Sequence, residues 1–167
     1  MSINAKTIKS AAAVLISGFG AVIFLDSLRY KFTNHPKTQV IFGALNDWAG
    51  TFGAAGLFAQ TGLFSQYVIG SAELLASALL LIGLLPGLVR LNALGALIAA
   101  AVMSGAVSFH LFTPLGIDPN GDGGGLFAAA LTLLVGSIIL IGIRLPVIFG
   151  LLADLGRALT NSDTHSV

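Results

Sequence analysis

Four long apolar stretches, separated by polar or glycine-rich segments, constrain the fold of this chain more than any other feature. Each stretch is long enough to cross a hydrocarbon layer of ~30 Å as a helix. With 56% hydrophobic and 9% charged residues, the chain has too little polar surface to cover a soluble domain. We therefore predict an all-α polytopic membrane protein. Residues 1–167 form one membrane domain, a four-transmembrane-helix bundle with spans at about residues 10–30, 65–85, 89–112 and 126–144.

The segment between the first two spans is predicted to hold structure of its own. Residues 32–63 are too polar and glycine-rich for a simple span, yet apolar enough to lie against the membrane. Such a length favours a functional or packing role over a mere connection. We predict an ordered surface loop with a short amphipathic helix around residues 38–49, in the first outer loop. We expect His35 to be solvated.

The two ends of the chain allow alternatives. The basic start followed by an apolar run also fits a secretory signal peptide, but the run is long and no small-x-small cleavage site follows it. We therefore predict an uncleaved first helix. Residues 147–159 are predicted to form an interfacial helix or to continue the fourth span. Residues 160–167, with a solvated His165, are expected to form a frayed tail.

The lysine and arginine residues predict the orientation. With four spans, five of them lie on one side of the membrane and three on the other. The side with more is normally cytoplasmic. We therefore predict a multi-pass membrane protein with both termini in the cytoplasm, which in a bacterial cell means the inner (cytoplasmic) membrane. The residues predicted inside are Lys6, Lys9, Arg90, Arg144 and Arg157, and those predicted outside are Arg29, Lys31 and Lys37.

Composition excludes several function classes. The chain has no cysteine, which removes disulfides, thiolate catalysis and cysteine-ligated clusters or zinc. Its formal net charge of +1 lacks the single-sign excess typical of nucleic-acid binding. No motif for flavin, haem or nicotinamide is visible, so a redox role requires a partner that passes electrons.

Small and polar residues follow helical spacing on the second and third spans. The short turn at Pro86 and Gly87 makes these spans antiparallel neighbours. In membrane bundles, small and polar residues face neighbouring helices and leucine faces lipid. The predicted inward faces are Gln66, Gly70, Glu73 and Ser77 on the second span, and Asn92, Ala96, Ala99, Met103, Ala106 and His110 on the third.

Glu73 is the residue that most needs an explanation. An ionised side chain deep inside a span costs several kcal/mol unless it is paired, protonated or hydrated. One interpretation is a proton-accepting or ligand-binding carboxylate inside the bundle. The other is a protonated carboxyl that fixes packing by bonding across helices to Ser77, Asn92 or Thr132. The residue pattern leaves both open.

Depth limits which groups can meet. At 1.5 Å rise per residue, Asp26 lies roughly 6 Å, His110 roughly 3 Å and Glu73 roughly 12 Å from the outer ends of their spans. Asp26 can therefore pair with His110, or with Arg29 or Tyr30 at helical spacing. Glu73 and His110 need an intervening group or water to communicate. His110 has either a structural hydrogen bond at the helix end or a role at a quinone or proton entry site.

The loop before the fourth span resembles part of a calcium loop. Asp118, Asn120 and Asp122 alternate before Gly123, as oxygen ligands do in the first half of such loops. The twelfth position is Ala129 instead of glutamate, so Ca²⁺ is only a weak candidate. A glycine-rich turn in which Asp122 or backbone N–H groups cap the fourth span explains these residues better.

Short motifs from about residue 10 to 144 also resemble a known family. They are Asp26 with Arg29 to Phe32, Gly70-Ser71-Ala72-Glu73-Leu74, Arg90, His110-Leu111-Phe112-Thr113-Pro114, and Asn120-Gly121-Asp122-Gly123-Gly124. Together they resemble the DoxX-like group of small four-helix bacterial membrane proteins. The resemblance implies an inner-membrane four-helix bundle, associated in some relatives with quinone-linked sulfur oxidation or oxidative-stress complexes. It also implies that the in-membrane glutamate is Glu73, the helix-end histidine His110 and the Gly-Asp-Gly turn residues 121–123.

Three function hypotheses remain. The first is an accessory or subunit of a redox-linked, quinone-associated membrane complex, with quinone as the candidate cofactor; the isolated chain is not expected to be an enzyme. The second is a non-catalytic scaffold that docks other membrane helices, and the third, ranked last, is a small-solute or proton transporter. Expected partners are the lipid bilayer and other membrane subunits, with a homo-oligomer as an alternative and no nucleic acid. The candidate proton or quinone site comprises Glu73, His110, Asp26, Ser77 and Gln66.

Overall fold

The computed structural model describes residues 4–162, which form five α-helices and no strand. Residues 163–167, with His165 and most of the predicted tail, lie outside the described part of the chain. The all-α prediction is confirmed for the described residues. The helices are α1 (Ala5–Lys31), α2 (Pro36–Gly50), α3 (Gln66–Ile82), α4 (Val89–Phe112) and α5 (Gly125–Ser162).

Three of these helices, α1, α4 and α5, are long and apolar enough to cross a membrane. Helix α3 is equally apolar in character but shorter, with 17 residues. This supports the prediction of a membrane protein with transmembrane helices. The large apolar side chains exposed on the bundle surface are mostly leucine, isoleucine and valine, as a lipid-facing surface requires.

Local sequence signals explain where several helices begin. The side chain of Ser65 accepts a hydrogen bond from the backbone N–H of Val68 and caps α3. His35 caps α2 in the same way, through Nδ1 and the N–H of Lys37, and Pro36 occupies the first turn. The helix predicted around residues 38–49 is thus present as α2, slightly longer at both ends.

Helices α1, α3, α4 and α5 pack side by side around one core. Neighbours run antiparallel, and the hairpin of α3 and α4 is especially close. A Cβ on Gly83 would lie 2.0 Å from the backbone nitrogen of Asn92, and one on Gly95 would lie 2.8 Å from that of Leu80. Only glycine permits these approaches. The predicted antiparallel pairing of these two helices is confirmed.

The core contains both small and large buried residues. Ala76, Ala96 and Ala99 are fully buried, together with Phe24 and Leu80. The predicted inward face of α3 is buried at all four positions, and that of α4 is buried except at Ala106, which is partly buried. Spacing of small and polar residues therefore predicted these two faces correctly.

A second, smaller apolar cluster covers one end of the bundle. Leu45 and Ala49 of α2 pack with Phe58, Leu115 and the partly buried Trp48. The cluster joins α2 and its following segment to the end of α4, through Phe109, and to the loop before α5. The long first loop is therefore an ordered cap. The amphipathic character of its helix stays a prediction.

The last helix differs from the separate interfacial helix predicted over residues 147–159. Helix α5 continues without interruption past Pro146, so the alternative of a continuing helix is the one observed. Proline removes one backbone hydrogen bond and can bend a helix, but proline is tolerated inside apolar helices of membrane proteins. Asp154 in the continuation also pairs with Arg90 at the start of α4, at 2.8 Å.

Candidate functional site

A buried ion pair joins α1 to α3. Lys31 Nζ lies 2.8 Å from Oε1 and 2.9 Å from Oε2 of Glu73, and it also donates to Ser27 Oγ. The side chains of Lys31 and Glu73 are only 14% and 3% exposed. A buried carboxylate is tolerated when a cation with good hydrogen-bond geometry faces it. The pair therefore provides the explanation that the depth of Glu73 requires.

Helix geometry explains how two residues at such different depths meet. Side chains on a helix lean toward its N-terminus. Because α1 and α3 are antiparallel, Lys31 at the end of α1 leans back along the bundle while Glu73 leans toward it. The amide of Gln66 sets the register, since its Nε2 donates to the Lys31 carbonyl at 2.6 Å. The four-carbon side chain of Lys31 then spans the remaining distance to Glu73.

The partners proposed for Glu73 from sequence are engaged elsewhere. Ser77 Oγ donates to the backbone carbonyl of Glu73 at 2.8 Å, not to its carboxylate. Thr132 Oγ1 donates to the Ala128 carbonyl, and Asn92 Nδ2 donates to Ser17 Oγ and to the Leu80 carbonyl. The prediction of a cross-helix bond from Glu73 to these three side chains is therefore wrong.

The partner of Glu73 that the sequence pattern does not identify is Lys31. The pattern places it only among the basic residues outside the membrane, at a helix end. The available signal was its position four residues after Ser27, which puts both groups on one face of α1. Long lysine stems also reach well away from their backbone position.

A cavity of about 690 Å³ opens beside this pair. A volume of that order is typical of small-molecule sites. Most of its wall is apolar and comes from α1, α2 and α4, including Phe24, Phe42, Leu45, Met103 and Phe109. Its polar lining is Asp26, Ser27, Tyr30, Lys31, Lys37, Thr38, Glu73, His110, Asn120 and Asp122.

Three of the five predicted site residues line this cavity and two do not. Glu73, His110 and Asp26 contribute to the wall. Ser77 is buried behind Glu73. Gln66 holds the turn after α1, because its Nε2 donates to Asn34 Oδ1 and its Oε1 accepts from Gln39 Nε2, both at 2.6 Å. These two residues position the site rather than form its surface.

His110 has a structural hydrogen bond at one ring nitrogen and, within residues 4–162, none at the other. Its Nδ1 lies 2.6 Å from the carbonyl oxygen of Gly116, and the residue is 5% exposed. A carbonyl can only accept, so Nδ1 donates and Nε2 is the nitrogen left to accept or take up a proton. The ring also packs edge-on against Phe127, with centroids 5.6 Å apart. The predicted structural hydrogen bond at the helix end is confirmed, with Gly116 as its partner.

Asp26 pairs with its helical neighbour instead of with His110. Its Oδ1 lies 2.9 Å from Nη2 of Arg29, and both side chains are more than half exposed. The same Arg29 nitrogen donates to the hydroxyl of Tyr30 at 2.9 Å. Of the three partners open from sequence, Arg29 is the one observed.

The acidic loop forms a helix cap. The carboxylate of Asp122 accepts the backbone N–H groups of Gly124 and Leu126, each at 3.0 Å, and Asp118 Oδ1 accepts the N–H of Asp122 at 2.7 Å. Slight desolvation raises the pKa of Asp122, but these backbone hydrogen bonds outweigh it and leave the pKa below its ordinary value. The capping interpretation is confirmed. Residues 4–162 contain no group of three or more acidic, histidine or cysteine side chains arranged to hold a metal ion.

Comparisons of the chain with protein-family models, with curated proteins and with solved structures found no match. The chemistry of the cavity is therefore the basis for assigning a function. Its apolar wall can hold a flat or branched hydrocarbon body, and its polar side can hydrogen-bond and exchange protons with a head group.

Proposed function

We propose that the chain is a four-span protein of the bacterial inner membrane and a member of the DoxX-like family, with both termini in the cytoplasm. Helix α3 is the second span in chain order and completes the set of four. Its 17 residues extend about 25 Å, and it packs between the longer α1 and α4. The five basic residues at one end and three at the other support the orientation.

We further propose that the chain binds a quinone in the cavity, as a subunit of a redox-linked membrane complex. The observation that carries this proposal is the buried pair of Lys31 and Glu73 in the wall of an otherwise apolar cavity. Quinones combine an apolar body with carbonyl groups that accept hydrogen bonds. A cavity with hydrocarbon walls and a few fixed polar groups suits that combination.

The ion pair can exchange one of its hydrogen bonds for a ligand bond. Lys31 Nζ has three N–H groups, and its three acceptors are the two oxygens of Glu73 and Ser27 Oγ. Two of these bonds go to a single carboxylate, so a quinone carbonyl can replace one of them while the pair remains intact. Tyr30, which also lines the cavity, offers its hydroxyl as a second hydrogen-bond donor to the quinone.

Proton exchange follows from the same lining. A quinol that gives up two electrons releases two protons. The Glu73 carboxylate and the Nε2 of His110 are the two buried groups in the wall that can accept them. The electrons would pass to a partner subunit.

Quinone quenching of Trp48 fluorescence tests the proposal directly. Trp48 is the single tryptophan and packs against Phe109, a cavity residue, with ring centroids 6.4 Å apart. A short-chain quinone added to the protein in mild detergent should quench this emission saturably. Glu73→Gln should weaken binding about tenfold, because it disrupts the charged pair that orients the carbonyl.

Two controls make the result specific. Asp154→Asn makes the same chemical change outside the cavity and should leave quinone affinity unchanged. An alkylbenzene of equal length tests for simple hydrophobic partition. Equal affinity of wild type and Glu73→Gln, or non-saturable quenching in both, would contradict quinone binding at this pair.

A non-catalytic scaffold is the second candidate, and one observation favours it. Both oxygens of Glu73 and all three N–H groups of Lys31 are bonded without any ligand, as in a purely structural pair. On this hypothesis, Glu73→Gln and wild type retain the same redox subunits after native purification, and neither retains quinone. Mass spectrometry of the purified complexes distinguishes this hypothesis from the first.

A further inference from the structure

Basic side chains of α1 and α5 meet at a cleft at the end of the bundle opposite the cavity. Lys6 and Lys9 of α1 and Arg144 of α5 line it, beside Ser10 and Ile143. The cleft has a volume of about 400 Å³. All of its charged lining residues are cationic.

These charges have no carboxylate partner within residues 4–162. No ion pair involves the two lysines or Arg144. Asp154, in the continuation of α5, is engaged by Arg90 and Arg157. The cleft therefore has an excess of positive charge that an external anion can neutralise.

Arg144 is held in place by the bundle itself. Its Nε donates to Oδ1 of Asn92 at 2.9 Å, and Asn92 is completely buried. The amide of Asn92 is fixed in turn by Ser17 Oγ and by the Leu80 carbonyl, each at 2.9 Å. The guanidinium is thus oriented before any ligand arrives, and its terminal Nη groups, which have no hydrogen bond within residues 4–162, can bind two oxygens of a phosphate.

The two lysines add two further cations to the lining of the cleft. They lie three residues apart at the start of α1, so they share one helix face. They also precede the apolar run, where the membrane interface is expected. Basic clefts between transmembrane helices on the cytoplasmic side suit anionic headgroups.

We propose that this cleft binds the phosphate of an anionic phospholipid headgroup, with Arg144 as the oriented contact and Lys6 and Lys9 as the outer contacts. The shared chemistry is an anionic phosphate, and the membrane is the source that we assign. The site is independent of the cavity at the other end. Bound lipid would tie the N-terminal turn of α1 to α5.

Native mass spectrometry of the full chain from mixed micelles tests the proposal. The probe is phosphatidylglycerol in equimolar competition with phosphatidylcholine. Wild type should retain phosphatidylglycerol selectively. Lys6→Gln with Lys9→Gln should reduce that retention about 25-fold, since each lysine near a lipid surface contributes about a factor of five. Both lysines are exposed, so the double variant is expected to fold.

Matched variants decide between the possible outcomes. Arg29→Gln with Lys37→Gln removes two cations from the opposite end and should leave retention unchanged, and Lys6→Arg with Lys9→Arg should preserve it. Equal retention by wild type and the Lys6 and Lys9 glutamine variant would overturn the site. Displacement by inorganic phosphate as efficient as by a short-chain phosphatidylglycerol would overturn the lipid assignment.

Discussion

The two ends of this bundle accommodate buried polar side chains in different ways. At one end, Lys31 and Glu73 place two full charges in contact beside a cavity. At the other, the neutral amide of Asn92 is completely buried and joins Ser17, the Leu80 carbonyl and Arg144. The ion pair requires both of its partners, whereas the Asn92 amide on α4 forms hydrogen bonds to groups on α1, α3 and α5. The first arrangement suits a site whose contacts can exchange, and the second suits a fixed joint.

Removing one charge of the ion pair should have the largest effect on stability. Lys31→Met leaves the Glu73 carboxylate buried without its counter-charge and should reduce the free energy of unfolding by about 3–5 kcal/mol. Combining it with Glu73→Leu should restore stability to within about 1 kcal/mol of wild type, because no uncompensated charge remains. Reversible unfolding in mixed micelles measures both values. A double variant as unstable as Lys31→Met would show that the charges themselves are not the cause.

Substitutions in the hydrogen-bond network of the Asn92 amide should have the next largest effect on stability. Asn92→Leu removes every hydrogen bond of the buried amide and leaves Arg144 Nε without its acceptor, so we expect a loss of about 2–3 kcal/mol. Ser17→Ala removes a single neutral partner and should cost about 1 kcal/mol. The same unfolding measurement compares them. If Ser17→Ala were as destabilising as Asn92→Leu, the amide would not be the centre of the network.

Removing the exposed helix cap at the cavity end should have the smallest effect on stability. Asp122→Ala removes the cap of α5 and should reduce the free energy of unfolding by about 1 kcal/mol at neutral pH. Because folding lowers the pKa of Asp122, this stabilisation is complete above the ordinary carboxyl pKa of 3.8 and is lost as the pH falls through the folded value. The difference between wild type and Asp122→Ala should therefore shrink in acid.

Asp47→Ala is the matched control for that measurement. Asp47 is an exposed carboxylate on α2. Its removal should change the free energy of unfolding by less than about 0.5 kcal/mol. A difference between Asp122→Ala and wild type that persists unchanged at low pH would argue against the charged cap.

Sequence patterns predicted the local features of this protein well. The spacing on α3 and α4 identified their buried faces, and the turn at Pro86 and Gly87 identified their antiparallel pairing. The cap by Asp122 followed from a glycine-rich loop before an apolar run. Each of these depends on residues close together in the chain, where backbone geometry alone sets the relation.

The candidate site could be predicted only in part. The depth of Glu73 indicated that it needed compensation, but Ser77, Asn92 and Thr132 were the wrong partners. Lys31 lies 42 residues away in sequence. Its role depends on the register between α1 and α3, which no local pattern specifies.

By itself, the sequence determined that this chain belongs in a membrane, where its helices lie, and which faces of α3 and α4 turn inward. Only the tertiary structure decided that Lys31 compensates Glu73, that a cavity opens beside them, and that Lys6 and Lys9 meet Arg144. The physical reason is that helix formation and burial depend on spacing along the chain. Ion pairs, cavities and charged clefts depend on how separate helices are aligned, and that alignment follows from close packing at glycine and alanine contacts across the whole bundle.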